Sequence, residues 1–281
     1  MTQGELSRRA VVVSACCCGV AACVPTLPLA SQPPQMGDGR PQLLELGTGP
    51  MERIAKTVWV ARIAPGVWLH STTGIIAGTT YYPANGLILE RSEGSLLVDT
   101  GWDSEQALVL LEWSKQHLGA PITQALATHF HYDRTGGIPG LQARGIVTYA
   151  HPLTCELARA RNTVAGAHKT PVPEPIAEFG AAPYSLNADC ELYFPGAGHT
   201  RDNIVVWLPR AGTLFGGCFL KSVTSPSLGN LEDAVIADWP ASVRNVSARY
   251  PNPRIVVPGH GTMTGDSLGR TLALLAASQK S

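Results

Sequence analysis

Short apolar runs separated by turn residues dominate the chain after residue 57. Runs of this kind, bounded by Gly, Pro, Asn or Asp, are typical of buried β-strands. They predict strands over residues 58–60, 67–69, 87–89, 95–98, 122–127, 145–149, 191–194, 203–208, 213–215 and 254–257. Hairpin-like spacing is confined to the first part of this series, and longer connections follow.

Apolar positions at helical spacing predict four helices between or after these strands. The first begins at a capping box formed by Asp103 and Gln106 and should end at Gly119. A second helix is predicted over residues 152–162, a third is capped by Asp238, and a fourth closes the chain. The apolar stripes are Ala107, Leu110, Leu111 and Leu118 in the first helix, Trp239, Val243, Val246 and Tyr250 in the third, and Leu268, Thr271, Leu272 and Leu275 in the fourth. Alternating strands and helices predict a layered α/β domain with helices outside the sheets.

Two segments depart from this regular pattern. Residues 71–83 hold three glycines or prolines among apolar residues, and the plain interpretation is a hairpin tip. The functional interpretation is a mobile flap whose exposed apolar residues cover a substrate. Residues 170–183 carry four prolines and predict an irregular surface loop.

The first residues have the pattern of an export signal. Arg8 and Arg9 precede an apolar run over residues 10–22 that is too short to span a bilayer. The sequence Val20-Ala21-Ala22-Cys23 resembles a bacterial lipobox, in which the Cys is acylated, and Val13-Ser14-Ala15-Cys16 fits nearly as well. Ordinary cleavage near Ala30 is the alternative. Residues 1–30 are therefore interpreted as an export segment, residues 31–50 as a flexible Pro/Gly-rich tether, and residues 51–281 as one catalytic domain.

Composition narrows the class of protein. Lys plus Arg and Asp plus Glu are equal at 21 each, so there is no electrostatic footprint for nucleic acid. The apolar fraction of 44% is ample for a core, and no later stretch is long enough to span a bilayer. An exported bacterial protein of this kind is expected in the periplasm, soluble or lipid-anchored, and as a monomer.

Three cysteines remain beyond the export segment: Cys155, Cys190 and Cys218. An odd number in an exported protein raises the question of a free thiol. Metal ligation of Cys218 would answer it, while Cys155 and Cys190 could form a disulfide or be small buried residues.

Candidate metal ligands lie where predicted strands end. His129, His131 and Asp133 alternate directly after the strand over residues 122–127, and two glycines follow. Imidazole and carboxylate both suit zinc. His199 and His260 lie in glycine-rich turns, and Cys218 ends another apolar run. Because an α/β sheet gathers its ligands at strand ends, these six side chains are expected to converge.

Three imidazoles make a catalytic type of zinc site. His129, His131 and His199 leave a fourth position for water, and Asp133, Cys218 and His260 provide a second, mixed site. Two zinc ions can share a hydroxide, because zinc lowers the pKa of bound water to about 7.

Asp99 ends a buried strand and is expected to accept a hydrogen bond from a ligand histidine, because Asp103 is the better helix cap. His70, His117, His151 and His168 lack companion ligands at short spacing and are interpreted as packing or surface residues.

These residues resemble the zinc ligands of the metallo-β-lactamase superfamily over residues 55–275. Most hydrolases of that superfamily have a second His directly after the Asp; here Arg134 stands there and Cys218 supplies a ligand instead. That exchange resembles the class B β-lactamases with Asp-Cys-His second sites. Further matches are Pro83-Ala84-Asn85-Gly86-Leu87, Val98-Asp99-Thr100, Gly198-His199-Thr200-x-Asp202-Asn203, Gly216-Gly217-Cys218-x-x-Lys221 and Gly229-Asn230-Leu231-x-Asp233-Ala234.

The resemblance implies a fold, a cofactor and an activity. The fold is a four-layer αβ/βα sandwich that binds two Zn²⁺ at one sheet edge, and the activity is opening of the β-lactam ring of penicillins, cephalosporins and carbapenems, which confers resistance. Lys221 would bind the antibiotic's carboxylate, Asn230 would stabilise the oxyanion, and Trp102 would contact substrate. Asp133 would hold the second zinc and orient the hydroxide.

Two other functions remain open from the sequence. The first is hydrolysis of another substrate, such as a lactone or thioester, against which Arg134, Cys218 and the export signal argue. The second is zinc binding or buffering without catalysis, in which case an open coordination position and Lys221 would lack a purpose.

Overall fold

Two β-sheets lie face to face at the centre of the fold, as seen in a computed structural model that describes residues 51–76 and 80–279. Within those residues the first sheet has eight strands in chain order. They are β1 (Glu52–Ala55), β2 (Val58–Ala64), β3 (Val67–Ile76), β4 (Thr80–Leu89), β5 (Ser95–Val98), β6 (Ile122–Ala127), β7 (Val147–Ala150) and β8 (Glu174–Pro175). Pairs from β1 to β5 are antiparallel, and pairs from β5 to β8 are parallel. The predicted export segment and tether lie outside the described residues.

The second sheet has five strands within the described part of the chain, in the order β13-β12-β11-β10-β9. They are β9 (Tyr184–Asn187), β10 (Cys190–Tyr193), β11 (Val205–Leu208), β12 (Thr213–Gly217) and β13 (Ile255–Pro258). The helices are α1 (Ser104–His117), α2 (Tyr132–Thr135), α3 (Ile138–Gln142), α4 (Pro152–Thr163), α5 (Trp239–Arg249) and α6 (Ser267–Ser278). No helix among the described residues has the length and apolar character needed to cross a membrane.

Alternation along the strands builds the layers. Leu87 faces the core between the sheets, whereas its neighbour Ile88 packs in a separate cluster with α1. In the second sheet Val206 faces that same central core, and Val205 packs with α5 and α6. Successive side chains of a strand point to opposite faces, so each sheet has one face on its partner and one under helices. The result is the predicted four-layer αβ/βα sandwich.

The first helix shows how a local signal is partly redirected by tertiary contacts. Asp103 is the N-cap of α1 and accepts from the backbone N–H of Gln106 at 2.8 Å, as predicted. The Gln106 side chain does not complete the box. It donates to the carbonyl of Thr73 and accepts from the backbone N–H of Trp102, so it ties α1 to β3.

Several predicted boundaries and caps need correction. Asp238 occupies the N-cap of α5, but its side chain makes no capping hydrogen bond. The segment over residues 170–183 is not only a surface loop, because it forms β8 and buries Ile176 and Phe179 in the core between the sheets. Burial of such large apolar side chains favours this packing. The short helices α2 and α3 were not predicted, because each is too brief to show helical periodicity.

Most of the predicted flap is regular strand. β3 and β4 pair continuously from Val67 with Leu89 to Ile76 with Thr80, and residues 77–79 at the tip lie outside the described residues. Ile75 and Ile76 near that tip are exposed, 60% and 42% respectively. The hairpin therefore presents two apolar side chains to solvent near its tip.

Candidate metal centre

The segment from Thr128 to Asp133 leaves the sheet at the end of β6. β6 is buried between β5 and β7, and α2 begins at Tyr132, so the ligand segment spans only the turn between them. The backbone N–H of Phe130 donates to the carboxylate of Asp202 at 2.9 Å. This bond fixes the peptide between His129 and His131, and their side chains emerge from one anchored turn.

The three predicted imidazole ligands lie together. Ring centroids are 4.9 Å apart for His129 and His131, 5.1 Å for His129 and His199, and 5.0 Å for His131 and His199. Each offers a ring nitrogen within 4.8 Å of the others' nitrogens. Residues 70 positions apart in the chain therefore form the compact three-nitrogen set that the sequence predicted.

Two features of the histidine cluster suit a metal ion: buried ring nitrogens without hydrogen-bond partners, and rings that are neutral. Nε2 of His129 and Nδ1 of His199 are buried and have no hydrogen-bond partner among the described residues. Burial, and then neighbouring positive charge, lowers the pKa of both rings well below their usual value. Neutral imidazoles with free lone pairs are what zinc requires as ligands.

His131 is oriented by a carboxylate that the sequence did not identify. Its Nε2 lies 2.9 Å from Oδ2 of Asp233. The hydrogen bond from His131 lowers the pKa of Asp233, so the carboxylate is ionised and the ring nitrogen must be the donor. The proton on Nε2 leaves Nδ1 as the atom of His131 that can bind metal.

The second predicted set also converges. Sγ of Cys218 lies 3.0 Å from Nε2 of His260 and 3.5 Å from Oδ2 of Asp133, and the His260 and Asp133 atoms are 3.3 Å apart. Nδ1 of His260 donates to the carbonyl of Pro83 at 2.7 Å, which turns Nε2 towards the other two side chains. His129 adjoins this set, with its ligand atom within 4.8 Å of those of Asp133 and Cys218.

Arg134 lies completely buried beneath the second set. Its guanidinium contacts Oδ2 of Asp133 at 2.7 Å, Sγ of Cys218 at 2.9 Å and Nε2 of His260 at 3.2 Å. It also donates to the carbonyls of Asn85 and Gly259. Burial alone would raise the pKa of Asp133, but the Arg134 charge beside it brings that pKa well below its usual value. Asp133 is thus ionised and available as a ligand.

Cys218 differs from Asp133 in protonation. Burial raises the pKa of its thiol far above the usual value, although the charge of Arg134 opposes part of that rise. A metal ion would displace the thiol proton, because coordination stabilises the thiolate. Zinc affinity at this set should therefore depend on pH through Cys218.

Asp99 has different partners from those expected. Its carboxylate accepts from the backbone N–H and hydroxyl of Thr128 and from Arg134 at 3.1 Å; it bonds no ligand histidine among the described residues. Its φ of 61° is in the left-handed region, which these bonds hold in place. Asp99 thus acts on the metal ligands through the turn before His129 and through the guanidinium under Asp133.

The three predicted substrate-binding residues differ in exposure and in their contacts. Lys221 is buried, and its Nζ lies 5.3 Å from the Trp239 ring centroid. Asn230 is exposed, and its side-chain oxygen accepts from the backbone N–H of Glu232, so its amide nitrogen is left as a donor. Trp102 packs under the flap instead of standing free. Its ring fills the space where a Cβ on Gly74 would lie, and its Nε1 donates to the carbonyl of Thr72.

The remaining histidines and cysteines stay outside both sets. His70 is buried and bonded to the carbonyl of Val98, and burial lowers its pKa to about 4. His117 stacks on Trp113, and His151 caps α4. Cys155 and Cys190 are free and buried, so they do not pair. None of the five belongs to a group of metal-ligating side chains in the described residues.

Three residues around the metal ligands had no assigned role in the sequence prediction: Arg134, Asp202 and Asp233. Arg134 was used only to tell the subclass apart, and Asp202 and Asp233 were named only within motifs. The distance along the chain hides the partners of all three residues. Asp233 contacts a histidine 102 residues away, and Asp202 contacts a peptide 72 residues away.

Comparison with known proteins identifies the family. The profile of the metallo-beta-lactamase superfamily matches residues 79–260. The chain is 39% identical over 223 residues to metallo-beta-lactamase type 2 of Bacillus cereus, covering 78% of this chain and 83% of the relative. It is 33% identical over 216 residues to the protein of that name from Bacteroides fragilis, covering 77% and 84%. The crystal structure of the metallo-beta-lactamase FIM-1 from Pseudomonas aeruginosa in the mono-zinc form matches with a TM-score of 0.72 at 37% identity, covering 79% of this chain and 96% of that chain. The chain belongs to the metallo-beta-lactamase superfamily.

Proposed function

We propose that this protein hydrolyses the amide of the β-lactam ring in penicillins, cephalosporins and carbapenems, and so confers resistance to them. The observation that carries the proposal is the convergence of three histidines and an Asp-Cys-His set beside a buried lysine. The relatives named metallo-beta-lactamases cover most of the chain and support the same substrate class. A thioester or lactone hydrolase would have no evident use for a buried cation at Lys221.

Two zinc ions are the proposed cofactors. His129, His131 and His199 would hold the first, and Asp133, Cys218 and His260 would hold the second. Zinc, when bound, supplies a Lewis acid and brings the pKa of a water molecule to about 7. The donor sets fit it, because neutral imidazole, carboxylate and thiolate are its usual ligands.

The side chains around these sets have separate tasks. Lys221 binds the substrate's carboxylate and sets the distance of the ring from the metal ligands. Asn230 donates its amide N–H to the lactam carbonyl, where negative charge develops as the ring opens. Asp133, kept ionised by Arg134, accepts a hydrogen bond from the attacking water and so orients it. The exposed side chains of Ile75 and Ile76 in the hairpin, and Trp102 packed against Gly74, cover the substrate from the side of β3 and β4.

Metal removal and a choice of substrates test the proposal together. Chelator-treated protein should lose hydrolysis of a chromogenic cephalosporin and a carbapenem, and added zinc should restore both. Inhibitors that acylate a serine nucleophile should have no effect. Full activity without metal would contradict the proposal, and preferential turnover of a thioester or lactone would assign another substrate class. Stoichiometric zinc binding without any turnover would indicate a zinc-buffering protein.

We also propose export to the bacterial periplasm as a monomer, with Cys23 acylated. Several acyl chains, each adding about 0.8 kcal/mol per buried CH₂, make membrane anchoring stable. Fractionation of cells expressing wild type and Cys23→Ala tests the anchor. Release of the wild-type protein by osmotic shock as readily as the variant would instead indicate ordinary cleavage near Ala30.

A further inference from the structure

One face of α4 is directed at the metal-ligand segment. The buried residues of this helix are Thr154, Cys155 and Ala158. Arg161 follows Ala158 by three positions, so it continues that face towards the C-terminal end of the helix. Two carboxylates that bear on the ligand segment, Asp202 and Asp233, lie along this face.

The first half of the face meets Asp202. Burial raises the pKa of this carboxyl, and the Thr154 hydroxyl beside it opposes part of the rise. Asp202 in turn accepts the backbone N–H of Phe130, between the two histidines. Thr154 and Asp202 are both fully buried.

The second half of the face meets Asp233 through Arg161. Nη1 of Arg161 donates to Oε1 of Glu232 at 2.9 Å and lies 3.6 Å from Oδ1 of Asp233. The other oxygen of Asp233 accepts from Nε2 of His131 at 2.9 Å. Arg161 and His131 therefore hold the same carboxylate by its two oxygens.

A second contact keeps the end of α4 beside the ligands. His168, in the segment after the helix, packs edge-on against Tyr132 with ring centroids 4.1 Å apart. Tyr132 lies directly between His131 and Asp133 in the chain. The end of α4 and the segment after it thus contact the ligand turn at Tyr132 and the Asn230 turn at Glu232 and Asp233.

We propose that Arg161 is a positioning residue that holds Asp233 and Glu232 so that His131 keeps its Nδ1 directed at the metal and the turn with Asn230 keeps its place. The inference rests on the proposed metal ligands and extends them to a residue that contacts neither metal nor substrate. Nη1 of Arg161 lies near both carboxylates, and the permanent charge of the guanidinium suits a residue that holds them. The Arg161 side chain is 25% exposed, so its ion pairs are screened and should contribute more to geometry than to stability.

Zinc affinity is the decisive measurement, because it needs no substrate. Apoprotein is titrated with zinc against a chelating competitor, and the first equivalent is compared among variants. Arg161→Gln should weaken it about threefold to tenfold, somewhat less than the tenfold to hundredfold typical of residues that bond a ligand directly. Asp233→Ala should weaken it more, because it removes the direct partner of His131.

Three variants separate positioning from a general loss of stability. Arg161→Lys keeps a cation near Asp233 and should restore most of the affinity. Glu232→Gln leaves Arg161 its contact with Asp233, so zinc affinity should stay while KM rises through the Asn230 turn. Arg249→Gln breaks a stronger, two-bond ion pair with Glu191 at the C-terminal end of α5 and should leave the affinity unchanged.

A spectroscopic measurement of hydrogen exchange follows the Nε2 proton of His131 directly. In zinc-loaded protein the Nε2–H of His131 should exchange with water faster in Arg161→Gln than in wild type, since its acceptor is less firmly held. Wild-type zinc affinity and wild-type exchange in a folded Arg161→Gln protein would overturn the inference. Failure of the wild-type protein itself to bind zinc would instead contradict the proposed function.

Discussion

The two ligand sets differ in what surrounds their metal-binding atoms. One is the three-histidine set, and the other is the set of Asp133, Cys218 and His260. In the first, two ring nitrogens are buried without partners among the described residues. In the second, the three side chains contact one another and share the Arg134 guanidinium beneath them. The first set is arranged to receive a cation, whereas the second already has a cation beside it. A metal ion should therefore bind the three histidines first and more tightly.

The same contrast explains how the two sets depend on the rest of the protein. His129 and His131 are placed by backbone anchoring at Phe130, and His131 also by the single carboxylate of Asp233. The second set depends on one guanidinium that also holds Asp99 and two backbone carbonyls. Loss of Arg134 should consequently affect the fold, while loss of a single ligand should affect only metal binding.

Arg134→Gln gives the largest expected effect. It leaves the buried carboxylates of Asp99 and Asp133 without their cation, and the free energy of unfolding should fall by about 3–5 kcal/mol. Chemical denaturation of the zinc-free protein measures this change. As a control, Arg210→Gln removes an exposed pair with Asp189 and should change stability by less than about 1 kcal/mol. Equal stability of the two variants would show that the guanidinium does not hold the second set.

Cys218→Ser should separate the two sets by metal content. A hydroxyl is a far poorer ligand than a thiolate, so bound zinc should fall from about two towards one per chain while the three histidines keep theirs. Elemental analysis after dialysis gives the count. Cys190→Ser changes another buried free cysteine, away from both sets, and should leave the count unaltered. Two tightly held ions and wild-type turnover in Cys218→Ser would exclude Cys218 as a ligand.

Lys221→Ala tests the buried cation that interacts electrostatically with a residue of each set, His199 and Cys218. Burial and then the Lys221 charge lower the pKa of His199, while burial lowers the pKa of Lys221 and neighbouring Cys218 opposes part of that fall. Loss of a charge-assisted contact to the substrate carboxylate should cost about 1.5–3 kcal/mol. That corresponds to a roughly tenfold to hundredfold fall in kcat/KM, mainly through KM. Lys115→Ala, on the exposed face of α1, serves as the control.

A pH profile sharpens the same prediction. Burial lowers the pKa of Lys221 to about 8. The ammonium form exists below that value and binds the substrate carboxylate, so KM should rise as pH increases through about 8. The rise should be absent in Lys221→Ala. A rise of equal size in that variant would assign the pH dependence to another group.

Local features of this chain were determined by the sequence alone. The cap at Asp103 and the apolar runs of β5 and β6 act within a few residues, so their patterns predict the elements that form. The six candidate ligands could be identified because each follows or precedes a strand, and strand ends of this fold meet at one edge. Their residue types already indicated zinc.

Only the tertiary structure decided which charges meet beneath those ligands. Arg134 follows Asp133 directly, yet its role depends on Cys218, 84 residues away, and on a carbonyl 125 residues away. Asp99 was expected to bond a histidine, but packing brought it to Arg134 and Thr128 instead. Burial set the protonation of Lys221 and Cys218, and burial is a property of the packed molecule that no local pattern encodes. The physical reason is the same in each case: desolvation and Coulomb contacts act through space, whereas sequence patterns report only neighbours along the chain.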